Sequence, residues 1–193
     1  MSEKNDASEK VNQLFSERFD EVFQFRLSLS EETDRGCALM AAAYLDSELE
    51  KLLSKHFVNN ENIKKEMLGV SRPLGSFSSR IDMAYLLGLV GPKAHRDLHL
   101  IRKVRNEFGH VPTPISFDDP ALASRCKELY HDAYGKEVAP RVKFNRVVLG
   151  VLGVIHANLY SVATIEEAKD VELDAAKEQF SKIIDAVLGK DDA

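Results

Sequence analysis

Residues 36–57 read GCALMAAAYLDSELEKLLSKHF, and the fold follows from how that stretch is taken. It is the body of a helix opened by Ser30 as N-cap, with Glu31, Glu32 and Asp34 filling the positively polarised first turn. Gly36, Ala38 and Ala41 to Ala43 leave little side-chain bulk, so a second helix can approach closely there. Upstream, Leu14, Phe15, Phe19, Val22, Phe23 and Leu27 recur at three and four residues, the period of one buried stripe. Downstream, NNENIKKEML is a short helix ended by Gly69, and Ser76 or Ser78 can cap a helix turning Phe77, Ile81, Ala84 and Tyr85 inward. Gly91-Pro92 stops that helix and starts the next, which is expected to run to Phe108 and end at Gly109. Asp118 or Asp119 then caps ALASRCKELYHDAY. RVKFNRVVLGVLGVIHANLYSV is apolar enough to be the central helix, with Gly150 and Gly153 as points of close contact, and an acidic amphipathic helix closes the chain. PISF, the sole strand candidate, is too short to count. The expectation is an all-α, single-domain bundle of six or seven helices over 1–193, with 1–8 and 189–193 frayed.

A chain of 193 residues can bury one real core but not two ordinary ones. Cys37 and Cys126 lie far apart without ligand spacing, which suits two buried, reduced thiols rather than a disulfide framework. The polar, acidic start MSEKNDASEK is not a signal or transit sequence. The run VVLGVLGVI is about half of what a bilayer crossing needs. A cytoplasmic protein without a membrane span is therefore expected. The net charge of −5 is unevenly spread: residues 1–34 and 164–193 each carry −5, and the segment between carries +5. Lys93, Arg96, Arg102, Lys103 and Arg105 concentrate on one predicted helix against Asp97 and Glu107. That local basicity would draw a phosphate, but it is also what a solvated helix face looks like.

The stretch IRKVRNEFGHVPTPISFDDP (101–120) carries the candidate chemistry. At ~100° per residue, Ile101, Val104 and Phe108 share a narrow arc, Asp97 and Arg105 fall in or beside it, and Leu98 lies at its margin. A guanidinium beside a buried stripe must be paired or turned to a crevice, with Asp82 or another helix as partner. A break at Gly109 would swing His110 back toward Arg105. Arg105 could then neutralise charge on a phosphate, Asn106 orient it and His110 move a proton, enough to cleave RNA through its own 2′-hydroxyl without a metal. The structural alternative has His110 capping helix carbonyls and Arg105 bracing the loop through Asp118 or Asp119.

Other patterns carry less. His95 and His99 are one turn apart, a spacing two metal ligands can share, but no carboxylate or third histidine stands at a matching position in sequence. His56, His131 and His156 stand isolated, and no Gly-rich phosphate loop, GxSxG or HExxH occurs. No polar recognition helix follows a tight glycine turn, so no specific DNA contact is expected. Neither a metal nor another cofactor is called for.

The segment RPLGSFSSRIDMAYLLGLVGPKAHRDLHLIRKVRNEFGH (72–110) resembles the mannitol operon repressor (MtlR-like) family in its Pro-Leu-Gly, its Arg-bearing helix with Tyr-x-Leu-Gly-Leu, and its helix ending in Arg and His. The resemblance implies an all-helical regulator of sugar-alcohol uptake that works through a protein partner. RNEFGH is also similar to the Arg-polar-x-x-x-His signature of HEPN domains, which implies a dimeric, metal-independent endoribonuclease. Arg105, Asn106 and His110 would then be its active residues, completed across a dimer interface, with RNA as substrate. Asp97, Asp82, Arg102, Asp118 and Asp119 are the supporting polar residues of this neighbourhood. The stripe of Phe15, Phe19 and Phe23 needs a cover, either the chain's own core or a second copy, and a homodimer is expected.

Overall fold

Thr33, not Ser30, caps the long helix: its hydroxyl accepts from the Gly36 N–H at 3.0 Å. Ser30 lies inside a preceding helix, its Oγ bonded to the Arg26 carbonyl, because the chain stays helical through residue 31. The computed structural model describes residues 20–170 and 172–188. Eight helices are found among them: α1 (20–31), α2 (Asp34–His56), α3 (Glu61–Leu68), α4 (Phe77–Leu86), α5 (Pro92–His110), α6 (Pro120–Lys127), α7 (Pro140–Ser161) and α8 (Leu173–Val187). The architecture is all-α, with one or two helices more than the periodicity suggested and no strand among the described residues. Leu14, Phe15, Phe19 and the two chain ends expected to fray lie outside them.

The bundle is built around α2, which packs against α4, α5 and α7, while α6 lies across α5 and α7. Its alanines do what their size predicts: Ala38, Ala41 and Ala42 are buried alongside Leu45, Leu49, Leu52 and Leu53. α7 supplies the facing stripe of Phe144, Val147, Val148, Val151, Leu152 and Ile155. This helix is long and apolar enough to cross a bilayer, yet its apolar stripe is turned onto its neighbours. Gly150 is a true close contact, since a Cβ there would lie 2.4 Å from the His131 carbonyl oxygen. Gly153 is not, having open space where its Cβ would stand.

Three further local expectations shift. In α1 the buried side chains are Phe25 and Leu29, with Phe25 stacked on Tyr44 at 4.2 Å, whereas Phe23 and Leu27 are exposed. The face turned to α2 is thus rotated from the stripe read in the sequence. α6 stops at Lys127, and the following backbone is irregular because the buried Asp97 carboxylate collects the N–H groups of Tyr130 and His131, each at 2.9 Å. The closing helix starts only at Leu173. Residues 162–170 first run extended past the end of α2, with the Ile165 N–H on the His56 carbonyl and the Thr164 hydroxyl on that of Lys55.

α4 is fastened more tightly than its apolar residues require. Ser76 and Ser79 form a reciprocal capping box. Arg80 is buried and forks onto Asp46 at 2.8 Å and Glu50 at 2.7 Å, with a third bond to the Leu68 carbonyl at 2.7 Å. The turn before α4 depends on Gly75, whose Cβ would meet the Gly69 carbonyl oxygen at 2.2 Å.

Candidate functional site

The helix that carries Arg105, Asn106 and His110 does not break at Gly109. α5 is continuous from Pro92 to His110 and is capped by Val111 in extended backbone. Pro112 is the reason: the residue before a proline is driven out of the helical region, so the stop lies three residues beyond the phenylalanine, not at the glycine. His110 therefore remains on the helix, and five residues at ~100° each set it about 140° from Arg105. The buried residues of α5 are Ala94, Asp97, Leu98, Leu100, Ile101, Val104 and Phe108, whereas Arg105 is exposed. Its Nη1 donates to the Asn106 Oδ1 at 3.1 Å.

Arg105 and Asn106 do line a cleft. With Arg102 they face the N-terminus of α4 (Ser76, Phe77, Ser78) and the small-residue face of α2 across a space of about 590 Å³. Arg102 Nε is buried without a hydrogen-bond partner, and Asp46, the carboxylate in the lining, is engaged by Arg80. Two guanidinium groups against one already paired carboxylate leave the cleft positive. His110 is exposed and lies outside this lining. The cleft can bind an anion; it does not bring the expected acid–base residue to the guanidinium.

The supporting residues have other tasks. Asp97 is fully buried and, besides the two backbone N–H groups, holds the His131 Nδ1 at 2.7 Å, so neither is free to serve Arg105. Asp119 occupies the N-cap position of α6, yet its carboxylate bonds the Ser116 N–H at 2.7 Å instead of capping. Asp118 is exposed, its N–H on the Ser116 hydroxyl. The loop 111–119 is braced from α2, by Arg35 on the Val111 and Thr113 carbonyls and by Asp34 on the Phe117 N–H. Arg105 takes no part among the described residues.

Asp82 contributes what the sequence reading found missing beside His95 and His99. Its Oδ1 lies 2.8 Å from His95 Nε2 and 2.9 Å from His99 Nε2, and the two nitrogens are 3.2 Å apart. Hydrogen bonds from His95 and then His99 hold the Asp82 carboxyl below the usual carboxylate range. His156, which stands isolated in the sequence, meets the buried Glu48. Glu48 and His156 lie on helices far apart in sequence, and Asp82 meets its two histidines across the turn between α4 and α5, so no spacing within one helix announces either partnership.

No family model matches the chain, and no curated protein does. Among solved structures, a chain of the X-ray structure of the MtlR-HPr complex from Escherichia coli shares the fold. The superposition covers 68% of this chain and 98% of that one at a TM-score of 0.57, with 19% identity. At that identity the likeness is one of architecture.

Proposed function

We propose that this chain is a soluble, cytoplasmic regulatory protein of the MtlR type that acts by binding a protein partner. The observation that carries the reading is its backbone likeness to a chain of the MtlR-HPr complex. The resemblance over 72–110 supports the same assignment, including a role in controlling sugar-alcohol uptake. An HPr-like protein is the partner proposed, and the Arg102–Arg105 cleft is the docking point proposed, because its unspent positive charge suits an acidic side chain of that partner. Self-association through the exposed Phe23 and Leu27 of α1 belongs to the same proposal. Catalysis of RNA cleavage is not part of it: Arg105 and His110 lie on different sides of one continuous helix.

Isothermal titration of the full chain against HPr, from Escherichia coli and from the chain's own host, tests the reading. Saturable binding is expected with at least one of them. Exchanging both Arg102 and Arg105 for Glu should weaken it at least tenfold, about 1.4 kcal/mol. If neither HPr binds and the purified chain alone recognises an operator fragment with high sequence specificity, association through a partner protein is the wrong mechanism.

A further inference from the structure

We propose that Asp82, His95 and His99 form a binding site for a divalent transition-metal ion, zinc being one that its donor set suits. The three ligand atoms belong to two helices that pack against each other, α4 and α5. His95 and His99 stand one turn apart on α5, and Asp82 comes from the facing surface of α4. All three atoms lie within 4.8 Å of one another. Their separations of 2.8, 2.9 and 3.2 Å describe one triangular face.

An ion about 2.0–2.2 Å from each ligand sets the edge such a face must have. That edge is about 3.0 Å for octahedral and about 3.3–3.4 Å for tetrahedral coordination. The observed edges of 2.8, 2.9 and 3.2 Å fall around the first value, and the two shorter ones lie about half an ångström below the second. Zinc, whose filled d shell imposes no geometry, accommodates either, and two imidazoles with one carboxylate are donors it favours.

Without an ion the arrangement is poorly matched. Both Nε2 atoms approach the same carboxylate oxygen, which sets them 3.2 Å from each other, so two N–H groups directed at Asp82 would also face one another. A cation on the open side of the triangle replaces this with two lone pairs and one carboxylate oxygen aimed at a positive charge. The surroundings do not oppose entry. Lys93 sits over the Tyr130 ring at 3.7 Å and Arg96 pairs with Glu128, both engaged elsewhere. Tyr85 packs against the His95 ring at 4.5 Å between centroids and helps to fix its plane. The side chains of His95 and His99 keep 26% and 22% of their exposure, enough for the ion to enter from solvent and retain water in the remaining positions.

The test uses the untagged full chain, stripped with a chelator and titrated with zinc chloride by calorimetry and by equilibrium dialysis with elemental analysis. One zinc per chain is expected, with magnesium failing to compete at a hundredfold excess. At zinc a hundredfold above its Kd, Tm should rise by about 5–10 °C. His99→Ala and, as a nearly isosteric check on folding, Asp82→Asn should each weaken binding by about tenfold or more while circular dichroism keeps the helical signal. His110→Ala, His131→Ala and His56→Ala should leave binding unchanged. Absence of stoichiometric zinc, or wild-type affinity in both Asp82→Asn and His99→Ala, overturns the site.

Discussion

Glu48 Oε2 lies 3.0 Å from His156 Nε2 in the interior, where α2 meets α7, and Lys51 reaches the other carboxylate oxygen at 2.5 Å. Burial alone would raise the Glu48 carboxyl, but the hydrogen bonds from His156 and Lys51 outweigh it and lower the pKa to about 2 from 4.5. The folded value is below the unfolded one, so the stabilisation is fully present above about pH 4.5 and disappears as the pH falls toward 2. Glu48→Gln should cost about 2–3 kcal/mol at pH 7. In urea denaturation series its deficit against wild type should close between pH 5 and pH 2. Parallel stability profiles across that range would show that the carboxylate contributes nothing as an ion.

The two glycines of α7 should respond with opposite sign. Gly150→Ala drives a methyl group into the His131 carbonyl and should destabilise by about 1–3 kcal/mol, because backbone rather than a flexible side chain must yield. Gly153→Ala meets open space and should gain up to about 1 kcal/mol from helix propensity alone. Thermal denaturation of the two variants checks this, and a loss in both would place Gly153 in a contact that the structure does not show.

Both thiols should be silent in the folded state. Burial pushes Cys37 up to about 11 and Cys126 up to about 12, and Cys37 Sγ also donates to the Asn145 Oδ1 at 3.0 Å. Ellman's reagent at pH 8 should detect neither cysteine natively and both in denaturant. Rapid native labelling of one equivalent would mean that the region around it opens readily.

RNA should survive the protein. With chelator present, a labelled single-stranded RNA incubated with the wild-type chain, Arg105→Ala or His110→Ala should give three indistinguishable gel traces. Cleavage by wild type that vanishes in the folded His110→Ala variant would mean that Arg105 and His110 meet after all, across two copies of the chain.

Periodicity and caps were sufficient for the helices themselves. The alanine-rich face of α2, the apolar stripe of α7, the Ser76 cap and the Gly91-Pro92 junction are short-range features, and a helix reports its buried face every three or four residues. Pro112 marks the end of α5 in the sequence as well, since proline dictates its neighbour's backbone and glycine merely permits a turn. Polar partnerships were of another kind. Asp82 with His95 and His99, Asp97 with His131, Glu48 with His156 and Arg80 with Asp46 and Glu50 each join residues beyond the reach of one helix's periodicity, and their spacing along the chain carries no information about their separation in space. A buried charge needs a partner, but packing decides which one. The sequence by itself therefore determined that this chain is a bundle of helices and where most of them begin. Only the tertiary structure decided that Arg105 faces a cleft without His110, and that two histidines on a basic helix converge on one carboxylate.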